Sequence, residues 1–226
     1  MAKFYVVGTP IGNLKDITLR ALEVLKSVDL ILCEDTRVTK KLLGAYDIAT
    51  STMSYHSHSG LTKVDKIIEL LNNEKDIALV SDAGTPAISD PGASLVARLR
   101  AELPALDIVS IPGPSALTAA FSIAGMQVSD FLFLGFLPHK KGREKLFTEI
   151  TESKRVVVFY ESPHRIMKTL GVLCEKLGSS RSVIIAREIT KMHEEVILGN
   201  CETVLSYFQT NPDKIRGEFV VLVSAL

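Results

Sequence analysis

Three clusters of charged residues each follow directly on an apolar run. Glu34-Asp35-Thr36-Arg37 follows residues 29–33, Glu161-Ser162-Pro163-His164-Arg165 follows 156–160, and Arg187-Glu188-Ile189-Thr190-Lys191 follows 182–186. Carboxylates of this kind exchange protons with a substrate, and guanidinium or ammonium groups hold anions. Three other stretches are rich in Gly and Pro: residues 8–14, 81–92 and 112–115. Proline stiffens such loops, and glycine lets a ligand approach the backbone closely. They suit a ligand gripped by main-chain groups. The 81–92 stretch has two Asp, two Gly, two Pro, two Ser and one Thr, far more than a turn requires, since most such connections run to about 5 residues.

Alternating strands and helices must position these loops. Apolar runs at 4–7, 29–33, 51–55, 77–80 and 107–111 read as strands, with helices between them. Such alternation predicts a mostly parallel sheet covered by helices on both faces, with its ligand site at the carboxyl ends of the strands. After a linker at 125–129 the pattern restarts. Strands are expected at 131–136, 156–160, 182–186, 195–198 and 218–223, with a hairpin-like stretch from Arg187 to Gly199 and therefore a mixed sheet. The expected domains are 1–125 and 126–226, both α/β, with a cofactor cleft between them.

The 226 residues carry 26 basic and 26 acidic side chains, so overall charge announces no nucleic-acid partner; such a surface would be a local patch. Residues 138–145, with His139, Lys140, Lys141 and Arg143, are one candidate patch for phosphate, together with Arg37, Lys40 and Lys41. A solvated loop is the plainer reading of the first. Glu34 and Asp35 would equally serve a helix N-terminus, and Glu161 with Arg165 an ion pair across a turn. Three cysteines without metal spacing predict a reduced cytoplasmic protein, with no signal peptide or spanning segment. His56-Ser57-His58 is the one close histidine pair, and no third ligand lies near it, so no metal is expected. Dinucleotide, phosphate-loop and nucleophile-elbow signatures are absent.

Taken in order, Gly8-Thr9-Pro10-Ile11-Gly12-Asn13-Leu14, Glu34-Asp35-Thr36-Arg37, Ser81-Asp82-Ala83-Gly84-Thr85-Pro86, Asp90-Pro91-Gly92, Pro112-Gly113-Pro114-Ser115-Ala116, Gly135-Phe136-Leu137-Pro138, Phe159-Tyr160-Glu161-Ser162-Pro163-His164-Arg165 and Ala186-Arg187-Glu188-Ile189-Thr190-Lys191 resemble the signature set of the ribosomal-RNA branch of the tetrapyrrole methylase superfamily. The resemblance spans residues 4 to 223. It implies a two-domain fold of that type, S-adenosyl-L-methionine as methyl donor, and the 2′-hydroxyl of a cytidine in the decoding region of 16S rRNA as acceptor. It further implies a homodimer acting on the small ribosomal subunit, with no membrane partner. The cofactor would be lined by Pro10, Asp82, Ala83, Gly84, Thr85, Pro112 and Ser115, with backbone near Phe136 and Leu137 and the strand 220–222 holding the adenine. A carboxylate of Glu34, Asp35 or Glu161 would take the proton, with Glu188 a further candidate near the reacting oxygen. Arg165, Arg187 and Lys191 would hold phosphate or the developing oxyanion. Relatives often continue past the final strand with a small helical segment; with Leu226 as its last residue, this chain would lean on its dimer surface and on the subunit to grip RNA. Two other readings stay open: a small-molecule methylase acting on a corrinoid-type ring, and an RNA-binding assembly factor without turnover.

Overall fold

A computed structural model of the chain describes residues 2–56, 60–89, 92–178 and 180–226. His58 of the histidine pair, and Asp90-Pro91 ahead of the next helix, lie outside the described residues. The chain divides into two units, Met1–Ser115 and Ala116–Leu226.

In the first unit, β1 (Lys3–Val7), β2 (Leu30–Cys33), β3 (Thr52–Ser54), β4 (Ile77–Leu79) and β5 (Asp107–Ile111) form a sheet of order β3-β2-β4-β1-β5. Every pairing in it is parallel. Period-two alternation sorts the strand side chains onto two faces. Val7, Ile31, Cys33 and Ala78 point to one face, where they meet Ala21, Val24 and Leu25 of α1 (Leu19–Ser27) and Leu42 and Leu43 of α2 (Thr36–Ala45). Phe4, Leu32, Ile77 and Leu79 point to the other, against Val64, Ile67 and Leu71 of α3 (Leu61–Asn72) and Leu95 and Leu99 of α4 (Ala93–Glu102). Burial on both sides explains why β4 is apolar at every position.

The second unit holds α5 (Ala116–Ile123), β6 (Phe131–Phe136), α6 (Arg143–Glu152), β7 (Val156–Glu161), α7 (Ile166–Leu177), β8 (Ser182–Arg187), β9 (Glu195–Asn200), α8 (Cys201–Thr210) and β10 (Phe219–Val223). Its sheet runs β6-β7-β10-β8-β9. The β6–β7 pair is parallel and the others antiparallel, so the sheet is mixed as expected. Phe159, Ile185 and Val221 face Phe147, Leu170 and Phe208 of α6, α7 and α8. Helix α5 contacts β10 and therefore lies with the second unit, whereas the sequence reading placed it in the first. No helix among the described residues is long and apolar enough to cross a membrane.

Candidate active site

At the carboxyl rim of the first sheet the three Gly/Pro loops are tied to one another. The amide of Thr9 donates to the Gly84 carbonyl at 2.9 Å, and the amide of Gly84 donates back to the Thr9 carbonyl at 3.1 Å. Buried Thr9 adds its hydroxyl, which donates to the carbonyls of Ser81 and Gly84 at 3.1 and 3.3 Å. The Ser81 hydroxyl also donates to the Gly84 carbonyl, at 3.2 Å. Gly8 donates its amide to the Ile111 carbonyl at 3.0 Å, and its backbone then crosses that of Gly113. A β-carbon on Gly8 would stand 2.8 Å from the Gly113 α-carbon, and one on Gly113 2.8 Å from the Gly8 carbonyl oxygen. At contact distances that short, a side chain at either position would force the facing backbone to shift. Gly84 has φ +83, and a β-carbon there would lie 3.4 Å from Ile11.

The 81–92 loop is wound by left-handed residues: Gly84, Ala87 (φ 71), Ser89 (φ 62) and Gly92 (φ 134). For Ala and Ser this costs about 1–2 kcal/mol each, and such strain persists where surrounding contacts enforce it, often at ligand sites. Within the loop Asp82 and Ala83 are exposed, while Ser81, Gly84 and Pro86 are buried. Pro10 is buried, Pro112 exposed and Ser115 half-buried. The expected cofactor residues of this unit thus all sit on the two interlocked loops or on the β5 loop that Gly8 touches.

The second strand end joins the same rim. Asp82 Oδ1 accepts the Asp35 amide at 3.0 Å. Asp35 caps α2, accepting the Arg37 amide at 2.8 Å, and pairs with the Arg37 guanidinium at 2.6 Å. The hydrogen bonds from the Arg37 side chain, then from its amide, hold the Asp35 carboxyl at about 2. Glu34, half-buried beside it, has no ion pair among the described residues. The helix-start reading therefore holds for Asp35, while the Glu34 carboxylate makes no ion pair with any described residue.

Among the described residues of the second unit, the expected charged residues fall into three networks, around Glu161, Glu188 and Glu195. Glu161 has a side chain with 0% exposure and pairs with Arg165 at 2.8 Å and Arg143 at 3.3 Å. Glu188, with φ 50, accepts from Lys191 Nζ at 2.8 Å and from the Glu218 amide at 3.0 Å. Lys191 also reaches Glu218 at 2.9 Å. Burial pushes the Glu188 carboxyl up, but the Lys191 and Glu218 hydrogen bonds outweigh it and leave it below its usual value. Burial likewise pulls Lys191 down, and its bonds to Glu188 and Glu218 hold it above. Arg187 is buried and spans the carbonyls of Arg216 and His193 and the carboxylate of Glu195. Phe136 is 58% exposed and leans on Tyr160, with ring centroids 5.3 Å apart; Leu137 is buried.

Sequence reasoning missed Thr9, Ser81, Thr169, Glu195 and Lys214. Lys214 pairs with Glu195 at 2.6 Å, and Glu195 also accepts from the Tyr207 hydroxyl. Nothing in residue type marks a threonine as the tie between two loops. Among the described residues no group of three or more His, Cys, Asp and Glu could hold a metal.

Residues 3–205 match the family model described as Tetrapyrrole (Corrin/Porphyrin) Methylases. The chain is 46% identical over 224 residues to ribosomal RNA small subunit methyltransferase I of Thermotoga maritima, covering 99% of both chains. It is 44% identical to the protein of the same name from Bacillus subtilis, covering 99% of this chain and 75% of that one. Among solved structures, a cobalt precorrin-4 methyltransferase superposes with a TM-score of 0.71 at 19% identity, covering 98% of this chain and 94% of the other. Uroporphyrin-III-C-methyltransferase from Thermus thermophilus gives 0.63 at 17%, with the same two coverages. At such identities the structural likeness speaks for the fold alone.

Proposed function

The chain belongs to the tetrapyrrole methylase family, grouping there with the ribosomal RNA small subunit methyltransferase I proteins, and from that premise we propose that it moves a methyl group from S-adenosylmethionine to the 2′-hydroxyl of a cytidine in the decoding region of 16S rRNA. The observation that carries this reading is the 46% identity extending over 99% of both chains. The small ribosomal subunit is the partner, a homodimer the working state and the cytoplasm the compartment.

The interlocked loops of the first unit fit a cofactor of this kind. Pro112 and Ala83 offer apolar surface backed by buried Pro10, Asp82 a carboxylate and Thr85 and Ser115 hydroxyls. Gly84, whose carbonyl takes up three donors, keeps the floor rigid. The exposed Phe136 ring, with the Leu137 backbone, would hold the adenine. Bound S-adenosylmethionine supplies a methyl group on a sulfonium with a neutral leaving group. Alignment supplies much of the acceleration for such a displacement, and a rigid floor is what alignment needs.

The acceptor hydroxyl must lose its proton. Asp35 is poorly suited, since Arg37 holds its carboxyl at about 2. Glu34 takes that proton in this reading. It adjoins Asp35, whose amide is bound to Asp82 of the cofactor loop. Lys191, held cationic by Glu188 and Glu218, steadies RNA phosphate or the developing oxyanion, and Arg187 braces the turn that carries it.

Purified protein, tritiated-methyl S-adenosylmethionine and small subunits from cells lacking the protein test the reading. Label is expected in 16S rRNA, at the 2′-oxygen of one cytidine. Label in a corrinoid or porphyrin ring instead, or no transfer at all, overturns it.

A further inference from the structure

We infer that Glu161 is a positioning residue that fixes the 137–138 backbone, and not the group that accepts the substrate proton. The inference rests on the proposed role of Phe136 and Leu137 as cofactor contacts.

A carboxylate has about four lone-pair sites, and Glu161 accepts three hydrogen bonds and makes a further ion pair with Arg165. Oε1 accepts from the Ser162 amide at 2.9 Å and lies 2.8 Å from Arg165 Nη2 in an ion pair. Oε2 accepts from the Thr169 hydroxyl at 2.7 Å and from Arg143 Nη2 at 3.3 Å. With 0% exposure the side chain presents no oxygen to an incoming hydroxyl.

The two guanidiniums carry the anchoring onward. Arg165 Nη1 donates to the Leu137 carbonyl at 2.6 Å, and its Nε to the Ser162 hydroxyl at 3.2 Å. Arg143 Nη1 donates to the Pro138 carbonyl at 3.1 Å, and its Nη2 to the Thr169 hydroxyl at 2.6 Å. One buried anion thus orients two planar cations, and each cation pins one of two consecutive carbonyls. Those carbonyls follow Phe136 directly, where β6 has already slipped register against β7 between Phe133 and Phe136. Phe136 still pairs with Tyr160, and β6 ends there, so it is the Leu137 and Pro138 backbone beyond the strand that this network holds.

Glu161→Gln removes the charge while keeping the shape, and its amide hydrogens face the Thr169 and Arg143 donors. Calorimetric titration with S-adenosylmethionine should show Kd raised by about 10-fold or more, since hydrogen bonds to charged groups are the strong ones. The turnover rate at saturating cofactor and subunit should stay within about twofold, with the pH profile unchanged. A turnover loss of about 100-fold or more with unchanged Kd and a vanished acid limb would identify a general base and overturn the inference. Thr169→Val, which removes one partner and keeps Glu161, covers the case in which Glu161→Gln does not fold. It should raise Kd by about threefold, and an unchanged Kd counts against the inference. Phe136→Ala separates the two layers. If it weakens binding while the Glu161 and Thr169 variants do not, the positioning role fails alone. If none of the three weakens binding, the cofactor role of Phe136 and Leu137 fails.

Discussion

Glu34 and Asp35 are adjacent carboxylates with opposite fates. Asp35 is spent on local structure: it caps α2, bonds Arg37 twice over and is held at about 2. Its folded value lies below its ordinary 3.8, so its contribution to stability is present above that ordinary value and is lost as pH falls through about 2. Arg37→Ala should return the Asp35 carboxyl toward 3.8, read by carbon-13 NMR titration of the side chain; a carboxyl that stays near 2 would mean that the helix terminus, not Arg37, holds it. The pair is exposed, so salt should weaken the shift. Glu34→Gln tests the other half. Turnover should fall by about 100-fold or more with the S-adenosylmethionine Kd unchanged, and full turnover would remove Glu34 from the mechanism. Sequence could put both acids at a strand end. It could not separate them, because the division depends on which one's oxygens Arg37 and the α2 amides reach.

The loops show what an element inherits from its residues and what it takes from its neighbours. Strand and helix positions were legible from apolar periodicity: β5 and β6 match the expected ranges, and helices fill the stretches between the strands of the first sheet as expected. The parallel character of the first sheet followed from strand–helix alternation, and the mixed character of the second from the hairpin-like stretch between Arg187 and Gly199. The loop interiors were not legible, because φ 71 at Ala87 and φ 62 at Ser89 leave no trace in composition. The glycines had a partly different purpose from the one their type suggests. Gly8 and Gly113 allow backbone to cross backbone, where the sequence reading expected room for a ligand. Gly113→Ala should therefore cost about 1–3 kcal/mol, a fall of several degrees in melting temperature for a chain of this length, and should weaken cofactor binding together with stability. Gly171→Ala is its opposite: the residue lies inside α7 with nothing within 4 Å of an added β-carbon. That change should stabilise by about 1 kcal/mol, and a loss of stability would mean that α7 needs the glycine for a reason other than space.

For the whole molecule the deciding number is its charge. Twenty-six cations balance 26 anions, so no long-range field draws the chain toward RNA, and attraction has to come from local groups. Many of its arginines are already engaged inside the fold. Arg143 and Arg165 serve Glu161, Arg187 serves the 188–194 turn, and buried Arg181 donates to the carbonyls of Ile150, Thr151 and Ser224. Sequence could anticipate the Glu161–Arg165 pair but not the contacts of Arg143 or Arg181, whose partners lie far along the chain. The exposed tip His139-Lys140-Lys141 is different. It follows the pinned carbonyls of Leu137 and Pro138, so it combines exposed charge with a fixed base. In the proposed function these lysines meet phosphate. Each such contact adds close to one unit to the slope of log K against log salt. Changing Lys140 and Lys141 together to Ala should then flatten the salt dependence of small-subunit binding by about 1–2 units, weaken binding uniformly across subunit preparations, and leave the S-adenosylmethionine Kd where it was. Filter binding at several potassium concentrations reads the slope. A slope identical to that of the unaltered protein would mean that the tip is a solvated loop, and that other exposed cations, such as Lys40 and Lys41, carry the RNA.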